Sequence, residues 1–432
     1  MRLDSPVLQV ALDVIHLKRA LEIAGEAVKG GADWVEAGTP LIKSEGMDAI
    51  RELKKRFQGR VIVADMKAMD VGGVEVEMAA RAGASVVTVM GAADDPTIKE
   101  AVLSGEKYGA EVMVDLLGVE DKARRAREVE ELGVHYLCVH VSIDAQMKGK
   151  NPFKELEEVR GTTSIPVAVA GGITAETAGE AVREGAEIVI VGGFIIKSPD
   201  ASEAARAVKE AMKGVKVESG IFYHRYRGEE IRKAFRLVSA PNVADAQHRE
   251  GAMVGIRPIR MGLKFAGPAF TVKTIDGDWA KPVEAIEKAH PGDVIVIDAG
   301  GGHTAIWGEL ATWSARMKGI AGVVVDGAVR DVDDISAMGF PVFSRNISPH
   351  AGEPKGYGEI GVEVVCGGVK VRPGDWVIGD DSGVVVVPKE RAEEIANRAM
   401  DVRERENRYR EEIKRGRTLS EVLELEEWEK VT

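Results

Sequence analysis

The chain is poor in cysteine and has no long apolar run, and both absences limit what it can be. Its two cysteines, Cys138 and Cys366, lie far apart, so the sequence predicts no disulfide framework and is typical of a reducing cytosol. No stretch approaches ~18 uninterrupted apolar residues, and the first residues lack the form of a signal peptide. We therefore expect a cytoplasmic protein that does not enter a membrane.

An excess of basic residues is also absent. The formal net charge of -12 argues against direct nucleic-acid binding, which needs a positive field, but it is compatible with a local phosphate site. Hydrophobic residues make up 45% of the chain and charged residues 30%, as is typical of a globular protein. A length of 432 residues predicts more than one domain.

A repeated pattern organises the first half of the chain. Five segments share the form Gly-Ala/Val-x-apolar-apolar, in which the glycine suits a helix end and the apolar pair begins a strand. They begin at Gly31, Gly83, Gly109, Gly133 and Gly185. Apolar runs at residues 7–12, 61–64 and 166–169 complete eight candidate strands. This alternation predicts an α/β fold, with a (β/α)8 TIM barrel over residues 1–213 and a doubly wound open sheet as the alternative.

The most informative segment is the hexapeptide Asp65-Met-Lys67-Ala-Met-Asp70, which directly follows a short apolar run. Because residues two apart on an extended strand point the same way, Asp65 and Lys67 should emerge together at the strand's end. A lysine between two carboxylates stays protonated, since each ion pair at ~4 Å and an effective dielectric of ~20 contributes roughly 4 kcal/mol before desolvation. A surface ion pair at a strand exit is the alternative interpretation.

The barrel interpretation predicts that chemistry lies at the carboxyl ends of the strands. Polar residues occur at these ends: Asp13, Glu36, Asp65, Lys67, Asp115 and His140. Glycine pairs follow the last two strands, Gly171-Gly172 and Gly192-Gly193. Backbone N–H groups at such pairs can approach a phosphate closely, so these four glycines are the predicted phosphate site. The role of Asp115, structural or functional, stays open.

These residues resemble the 3-hexulose-6-phosphate synthases, a family of the orotidine-monophosphate decarboxylase superfamily. The resemblance covers about residues 1–213 and rests on Leu12-Asp13, Glu36-Ala-Gly-Thr-Pro40, Asp65-x-Lys67-x-x-Asp70, Cys138-Val-His140 with Gln146 and Gly149, and Gly192-Gly193. The related 3-keto-gulonate-phosphate decarboxylases typically carry arginine three residues after the histidine, where this chain has Ile143. The departure favours the synthase, with decarboxylation as the alternative.

The resemblance implies an aldehyde-lyase that condenses formaldehyde with ribulose 5-phosphate to 3-hexulose 6-phosphate, reversibly. The 1,2-enediolate intermediate needs a divalent cation, and Glu36 and Asp65 are hard oxygen ligands suited to Mg²⁺ (or Mn²⁺). Lys67 would donate to the enediolate.

The remaining roles follow from the same resemblance. His140 would transfer the proton, because histidine titrates in the working pH range. Asp13 would contact a substrate hydroxyl, and Asp70 would hold Lys67 and another hydroxyl. The family dimerises with this last aspartate reaching into the partner's site, so we expect a homo-oligomer.

The second half has a different character. Residues 214–228 lack a clear period and are predicted to be a linker. A helix at 229–237 then leads to a β-rich region rich in glycine, with strands expected at 269–274, 294–297, 322–325 and 375–387. We expect this domain to cover residues 229–390. A charged helical tail follows over 391–432, and its mixed charges predict a mostly solvated helix that is long enough to pack on a neighbouring subunit.

One stretch of this domain carries a candidate site. A strand ending in Asp326-Gly327 predicts a tight turn that delivers Arg330 and Asp331. Arginine can bind a substrate carboxylate bidentately while the neighbouring acid orients the water shell of a metal. An ordinary ion pair in a turn is the alternative.

Residues 239–387 resemble the family that holds 4-hydroxy-4-methyl-2-oxoglutarate aldolase and the regulator of ribonuclease E activity, which implies an α/β domain of the swivelling type. In the aldolases the arginine is catalytic and the next aspartate binds a divalent metal, which implies these roles for Arg330 and Asp331, supported by Asp334. Glu309 stands where the aldolases have aspartate. The domain is therefore expected to be a pyruvate-type aldolase or decarboxylase, a regulator with a ribonuclease partner, or an assembly module.

Overall fold

The computed structural model describes residue 3, residues 5–217, residue 220, residues 222–423 and residue 425. These residues form two compact units. The first comprises the described residues up to 146, those in 150–224 and those from 404 onward, and the second comprises 147–149 and 225–403. Within these described ranges, no helix has both the length and the apolar character needed to span a membrane.

Eight parallel strands of the first unit close into a barrel in chain order, which confirms the predicted (β/α)8 fold. The strands are β1 (Val7–Leu12), β2 (Trp34–Ala37), β3 (Val61–Ala68), β4 (Val86–Met90), β5 (Glu111–Asp115), β6 (Tyr136–His140), β7 (Val167–Ala170) and β8 (Ile188–Val191). The helices are α1 (Leu17–Lys29), α2 (Thr39–Glu45), α3 (Asp48–Arg56), α4 (Gly72–Ala82), α5 (Asp95–Tyr108), α6 (Lys122–Glu131), α7 (Ile143–Met147), α8 (Phe153–Arg160), α9 (Ala175–Arg183), α10 (Gly193–Ile196) and α11 (Ala201–Met212).

Helix ends in the barrel follow the glycine pattern of the sequence. Gly83 and Gly109 end α4 and α5 with φ angles of 108° and 79°, in the left-handed region that glycine enters without a steric penalty.

Along the barrel strands, alternate side chains belong to two different hydrophobic cores. Leu8 and Ile62 pack against the helices, whereas Trp34 belongs to a second cluster of buried residues inside the barrel. The interior of the barrel is thus filled with side chains, so we expect the active site at an end of the barrel rather than inside it.

The tail of the chain forms α17 (Ala392–Lys414) and α18 (Leu419–Leu423). Arg408 and Glu412 depart from the expectation of a solvated helix, because they are only 4% and 5% exposed, whereas Arg410 and Lys414 on the same helix are exposed as expected. The two buried charges are satisfied by α1: Arg408 lies 3.0 Å from Glu26, and Arg19 lies 3.1 Å from Glu412. Alternating charges therefore fit a buried position once each charge has a partner.

The second unit is built on a mixed nine-stranded sheet with a separate hairpin. Its strands are β9 (Arg257–Pro258), β10 (Phe265–Lys273), β11 (Val294–Asp298), β12 (Ala305–Trp307), β13 (Gly322–Val329), β14 (Val342–Ile347), β15 (Glu359–Ile360), β16 (Val364–Cys366), β17 (Val369–Val371), β18 (Trp376–Asp380) and β19 (Gly383–Val387). Its helices are α12 (Ile231–Leu237), α13 (Ala240–Ala246), α14 (Ala280–Lys288), α15 (Glu309–Lys318) and α16 (Val332–Met338). Short 3-10 turns cover Gly228–Glu230 and Lys389–Arg391.

Parallel pairing of β10, β11, β13 and β14 forms the centre of this sheet. The predicted strand at 375–387 is instead the antiparallel pair β18 and β19, because the chain reverses after Asp380 and re-enters at Gly383, whose φ is 134°. The α/β character expected for this half of the chain is confirmed.

Candidate active site

The carboxyl ends of the barrel strands bring the predicted polar residues to one end of the barrel. Glu36 lies on β2, Asp65 and Lys67 on β3, and Asp115 and His140 end β5 and β6. Since all eight strands are parallel, these ends share one rim.

Strand β3 extends beyond the predicted apolar run, and its last residues pair irregularly with β4. Its pairing with β4 shifts register between Ala64 and Ala68, and Lys67 inside this bulge has a φ of 49°. A left-handed lysine stores backbone strain, which is common at functional sites and needs support from its surroundings. Here Thr88 of β4 gives that support, because its hydroxyl accepts the Lys67 N–H at 3.1 Å. Asp65 and Lys67 therefore meet through a bulge rather than through regular strand alternation.

A chain of charged contacts runs across the rim. Lys67 Nζ lies 3.0 Å from a carboxylate oxygen of Asp65 and 2.9 Å from Asp115 Oδ2. His140 Nδ1 lies 2.9 Å from the same oxygen of Asp115. The hydroxyls of Thr39 and Thr88 each donate to Asp65 at 2.7 Å, one to each carboxylate oxygen. Asp65 and Asp115 are thus oriented from several sides, as precise chemistry requires.

Burial and charge set the protonation states in this chain of contacts. Burial disfavours the charged form of Asp115, but the hydrogen bond and charge of His140, together with Lys67, lower the pKa of this carboxyl. Burial also opposes the charge on Lys67, yet Asp65 and Asp115 outweigh it and raise the pKa of the lysine. Lys67 is therefore a permanent cation and Asp115 a permanent anion at neutral pH.

A second feature of the rim is a cluster of carboxylates. Burial, followed by the charges of Asp65 and Asp13, raises the pKa of Glu36 well above its ordinary value. Partial desolvation at the rim, followed by the charge of Asp65, likewise raises the pKa of Asp13, although Asp13 is itself exposed. The side-chain amide of Gln9 donates to Glu36, and a Cβ at Gly38 would lie 2.4 Å from Asp13. Like charges are thus held together here at a cost in free energy.

This cluster is the part of the barrel that fits a metal ion. Among the residues that the structure describes, no group of three or more histidine, cysteine, aspartate or glutamate side chains is arranged to hold a metal by itself. Mg²⁺, however, binds through one or two carboxylates and keeps several waters. Glu36 and Asp65 are two buried carboxylates, and burial together with the charge of Asp65 raises the pKa of Glu36, so a divalent cation would stabilise their ionised forms.

Asp70 occupies a different position from the other predicted residues. It is exposed, and its carboxylate accepts the N–H of the adjacent Val71 at 2.7 Å. The carboxylates of the same chain that pair with Lys67 are Asp65 and Asp115, so within one chain the second acid beside the lysine is Asp115. The bulge explains the difference, because Lys67 turns toward β5 while the chain continues outward to Asp70.

The two glycine pairs that are predicted to bind phosphate directly follow β7 and β8. Gly171 and Gly172 both have positive φ angles, 108° and 73°. A Cβ at Gly192 would lie 3.2 Å from Asp13 Oδ2, and one at Gly193 would lie 3.4 Å from Lys197 Nζ. The second pair therefore lies beside the carboxylate cluster and has a cation next to it.

Several residues that shape the site escaped sequence reasoning. The strand pattern does not assign a role to Asp115, which the structure shows joining Lys67 to His140. The sequence gives no signal for Thr39 and Thr88, because a hydroxyl near a strand end is too common to be informative. Lys197 could have been found, since a lysine four residues after a glycine pair at a strand end is a reasonable phosphate ligand.

The candidate site of the second unit lies where β13 meets α16. Strand β13 runs through Asp326 and Gly327 to Val329, so the predicted tight turn at Asp326-Gly327 is wrong. Asp326 is instead a buried strand residue whose carboxylate accepts from Arg345 and, at 2.7 Å, from the N–H of Gly367. Those partners satisfy the buried acid and let the strand continue past it.

Arg330 and Asp331 follow directly after β13. Arg330 Nε lies 3.4 Å from Asp331 Oδ2, which also accepts the N–H of Glu309 at 3.1 Å. The carboxylate of Glu309 accepts from Trp313 Nε1 at 3.0 Å. Asp331 has a φ of 56° and lies at the N-cap position, just before the first residue of α16. Asp334 is exposed in the first turn of that helix. Arg330, Asp331 and Glu309 are thus brought together at an open position.

Comparison with known proteins agrees with this geometry. Residues 6–208 match the family model "Orotidine 5′-phosphate decarboxylase / HUMPS family", and residues 240–386 match "RraA-like: Aldolase/RraA". A 3-hexulose-6-phosphate synthase of Bacillus subtilis strain 168 is 42% identical over 204 residues, which is 47% of this chain and 97% of the relative. A second, from Mycobacterium gastri, is 40% identical over 205 residues, 48% of this chain and 99% of the relative.

Among solved structures, a 3-hexulose-6-phosphate synthase is 39% identical, with a TM-score of 0.45, covering 48% of this chain and 99% of its own. Streptomyces coelicolor RraAS2, described as an unusual member of the RNase ES inhibitor RraA protein family, is 30% identical with a TM-score of 0.40, covering 45% of this chain and 100% of its own. Because the chain covers nearly the whole length of relatives about 40% identical to it, it belongs through its first half to the orotidine 5′-phosphate decarboxylase / HUMPS family, and its second half is RraA-like.

Proposed function

We propose that the first unit is an aldehyde-lyase that condenses formaldehyde with ribulose 5-phosphate to 3-hexulose 6-phosphate, and reverses this reaction. The observation that carries the proposal is the chain of contacts Asp65–Lys67–Asp115–His140, in which one carboxylate oxygen lies 2.9 Å from both an ammonium and an imidazole. Such an arrangement supplies a fixed cation and a proton carrier to one reacting carbon. The relatives named for this synthase support the substrate.

Proton transfer is assigned to His140. Its Nδ1 faces Asp115 at 2.9 Å, so Nε2 is the atom that exchanges protons with the substrate. In condensation it would remove a proton from C1 of ribulose 5-phosphate, and the electron pair would move to the C2 carbonyl oxygen to form the enediolate. C1 then bonds to the carbon of formaldehyde, and the resulting alkoxide takes up a proton. The ionised Asp115 stabilises the imidazolium that forms between these steps.

Lys67 is assigned an electrostatic role. Two carboxylates raise its pKa, so the amine stays protonated and is poorly suited to attack a carbonyl as a nucleophile. Its charge would instead stabilise the negative charge that develops on the enediolate oxygens. The strained backbone and the bond from Lys67 N–H to Thr88 keep this ammonium in place before substrate binds.

Glu36 and Asp65 are the residues that would hold Mg²⁺ or Mn²⁺. When bound, such an ion supplies Lewis-acid stabilisation of the two enediolate oxygens. Asp13 would orient a substrate hydroxyl beside this pair. The glycine pairs Gly171-Gly172 and Gly192-Gly193 would receive the phosphate, with Lys197 as its cation. Asp70 would act in the site of a second copy, which makes the protein a homo-oligomer.

The experiment is formaldehyde consumption by the full chain with ribulose 5-phosphate and Mg²⁺, repeated with EDTA. We expect metal-dependent turnover that Asp65→Ala abolishes, with Asp48→Ala as the control because Asp48 is exposed on α3. Carbon dioxide release from a 3-keto-gulonate 6-phosphate, without formaldehyde consumption, would replace the proposal by decarboxylation. Full turnover by Asp65→Ala would refute the assignment of the site.

For the second unit we propose a site for a small carboxylate, used in a pyruvate-type aldolase or decarboxylase reaction. Arg330 would bind the carboxylate bidentately, and Asp331 would hold a divalent metal with Glu309 and Asp334 orienting its waters. The test is release of pyruvate from oxaloacetate by the full chain with Mg²⁺ and by Arg330→Ala. Binding to a ribonuclease without any metal-dependent turnover would favour a regulatory role instead.

A further inference from the structure

Two segments from outside the barrel proper meet the loop that carries the second glycine pair. The first is the segment after α11 that contains Tyr223. The second is the part of α17 from residue 404 onward. Both belong to the same compact unit as the barrel. The first contacts α10, the four-residue helix that begins at Gly193, and the second contacts the chain just after that helix.

The C-terminal helix holds the chain just after α10. Arg408 Nη1 donates to the carbonyl oxygens of Ser198 at 2.9 Å and Pro199 at 3.3 Å, directly after Lys197. The same guanidinium binds Glu26 on α1 through two N–H groups, at 3.0 and 3.2 Å. It also donates to Glu412 at 2.6 Å. Only 4% of Arg408 is exposed, so this buried arginine uses its rigid fork to fix the loop relative to α1.

The other segment holds α10 itself. The ring of Tyr223 packs edge-on against Phe194, with ring centroids 4.9 Å apart. Tyr223 has a φ of 63°, and its N–H donates to Glu404, which is only 1% exposed. A non-glycine residue in the left-handed region is maintained only where its surroundings enforce it. Here the enforcing group comes from the C-terminal helix.

We propose that Arg408 and Tyr223 are positioning residues for the phosphate of the barrel's substrate, so that the C-terminal helix completes the barrel site. Neither side chain is assigned a contact with substrate. They act through Lys197 and the Gly192-Gly193 backbone, whose placement depends on α10 and the loop after it. This inference rests on the proposed function, because it assumes that a sugar phosphate binds at the glycine pairs.

The first test compares full-length Arg408→Gln and Tyr223→Asn with Arg410→Gln. Arg410 lies on the same helix but is exposed, and it pairs with Glu406; asparagine tolerates the left-handed backbone of Tyr223. We expect KM for ribulose 5-phosphate to rise about tenfold in both test variants, while kcat changes less than about twofold, because a misplaced phosphate site loses binding energy that the bound substrate and the transition state share. Arg408→Lys should recover only part of the loss. Unchanged KM, or an equal fall in kcat, in folded variants would overturn the proposal.

A second readout does not depend on activity. The amides of Ile195, Ile196 and Lys197 are bonded within α10 and its cap, so their hydrogen exchange reports how firmly the loop is held. We expect faster exchange in Arg408→Gln and Tyr223→Asn than in Arg410→Gln. If the wild-type chain does not consume formaldehyde, the proposed function is refuted. The positioning role is tested separately, because equal rates of hydrogen exchange in all variants would refute it. If Arg408→Gln does not fold, Tyr223→Asn decides.

Discussion

The two candidate sites differ in how far they are removed from water. In the barrel, the side chains of Asp65 and Asp115 are 8% and 3% exposed beside a lysine at 25%. In the second unit, Arg330 and Asp331 are 44% and 35% exposed. Charge interactions strengthen as water is excluded, so the barrel site is preorganised by its own ion pairs. In the second site, charge interactions can become comparably strong only when a bound ligand excludes water.

The largest effect should come from removing the barrel's fixed cation. Lys67→Met leaves Asp65 and Asp115 buried without their counter-ion, so we expect formaldehyde consumption to fall by about 10³-fold or more and the protein to lose about 3 kcal/mol of stability. Lys55→Met is the matched control, because Lys55 is 74% exposed and its partner Glu52 is 43% exposed. Kinetics and denaturant unfolding measure the two effects. An active Lys67→Met enzyme would contradict the electrostatic role.

Asp115→Asn tests the link between Lys67 and His140. The amide cannot stabilise an imidazolium, so we expect kcat to fall by about 10²-fold or more with little change in KM. Steady-state kinetics with ribulose 5-phosphate measure this split. Because the native fold lowers the pKa of Asp115, the wild-type protein should also lose stability as the pH falls below the ordinary value of this group, and Asp115→Asn should lose less. Equal acid sensitivity would contradict the ion-pair account.

Mixing inactive variants tests the position of Asp70. If Asp70 acts in a second copy's site, dissociated and reassociated Asp70→Ala and Lys67→Met chains should recover about a quarter of the wild-type activity, because half of the dimers are mixed and each has one intact site. Two Asp70→Ala preparations mixed in the same way are the control. No recovery in the mixed sample would place Asp70 within its own chain's site.

The carboxylate cluster predicts a pH-dependent response to metal. Because the pKa of Glu36 is raised in the fold without metal, its ionised form costs stability that increases as the pH rises above 4.5. Mg²⁺ should therefore raise Tm more at pH 8 than at pH 5, and at a hundredfold excess over Kd it should add up to about 2.7 kcal/mol to the free energy of unfolding. Glu36→Gln should raise Tm in EDTA and abolish the response to Mg²⁺. An equal response at both pH values would contradict a carboxylate metal site.

The smallest effect tests whether the two sites are independent. Arg330→Ala removes the proposed carboxylate-binding group from the second unit, so oxaloacetate decarboxylation should disappear. Formaldehyde consumption should change by less than about twofold, because Arg330 is an exposed residue of the other unit and surface substitutions usually alter stability by only about ±0.5 kcal/mol. A larger loss of formaldehyde consumption would show that the sites are coupled.

Sequence alone determined the barrel and most of its rim. Glycines that end helices, apolar strand runs and polar residues at strand ends are local patterns, and parallel strands place such ends on one rim without further information. Asp13, Glu36, Asp65, Lys67 and His140 could be identified in this way. The second half was harder, because a strand that passes through Asp326 and Gly327 has the composition of a turn.

Only the tertiary structure decided which charges pair. Asp70 is nearer to Lys67 in sequence, but a bulge in β3 turns the lysine toward Asp115, 48 residues away. Arg408 and Glu412 belong to a charged tail whose composition predicts solvent exposure, and they are buried because α1 offers Glu26 and Arg19 as partners. The partner of a charge depends on distance and burial in three dimensions, which residue spacing along the chain does not specify.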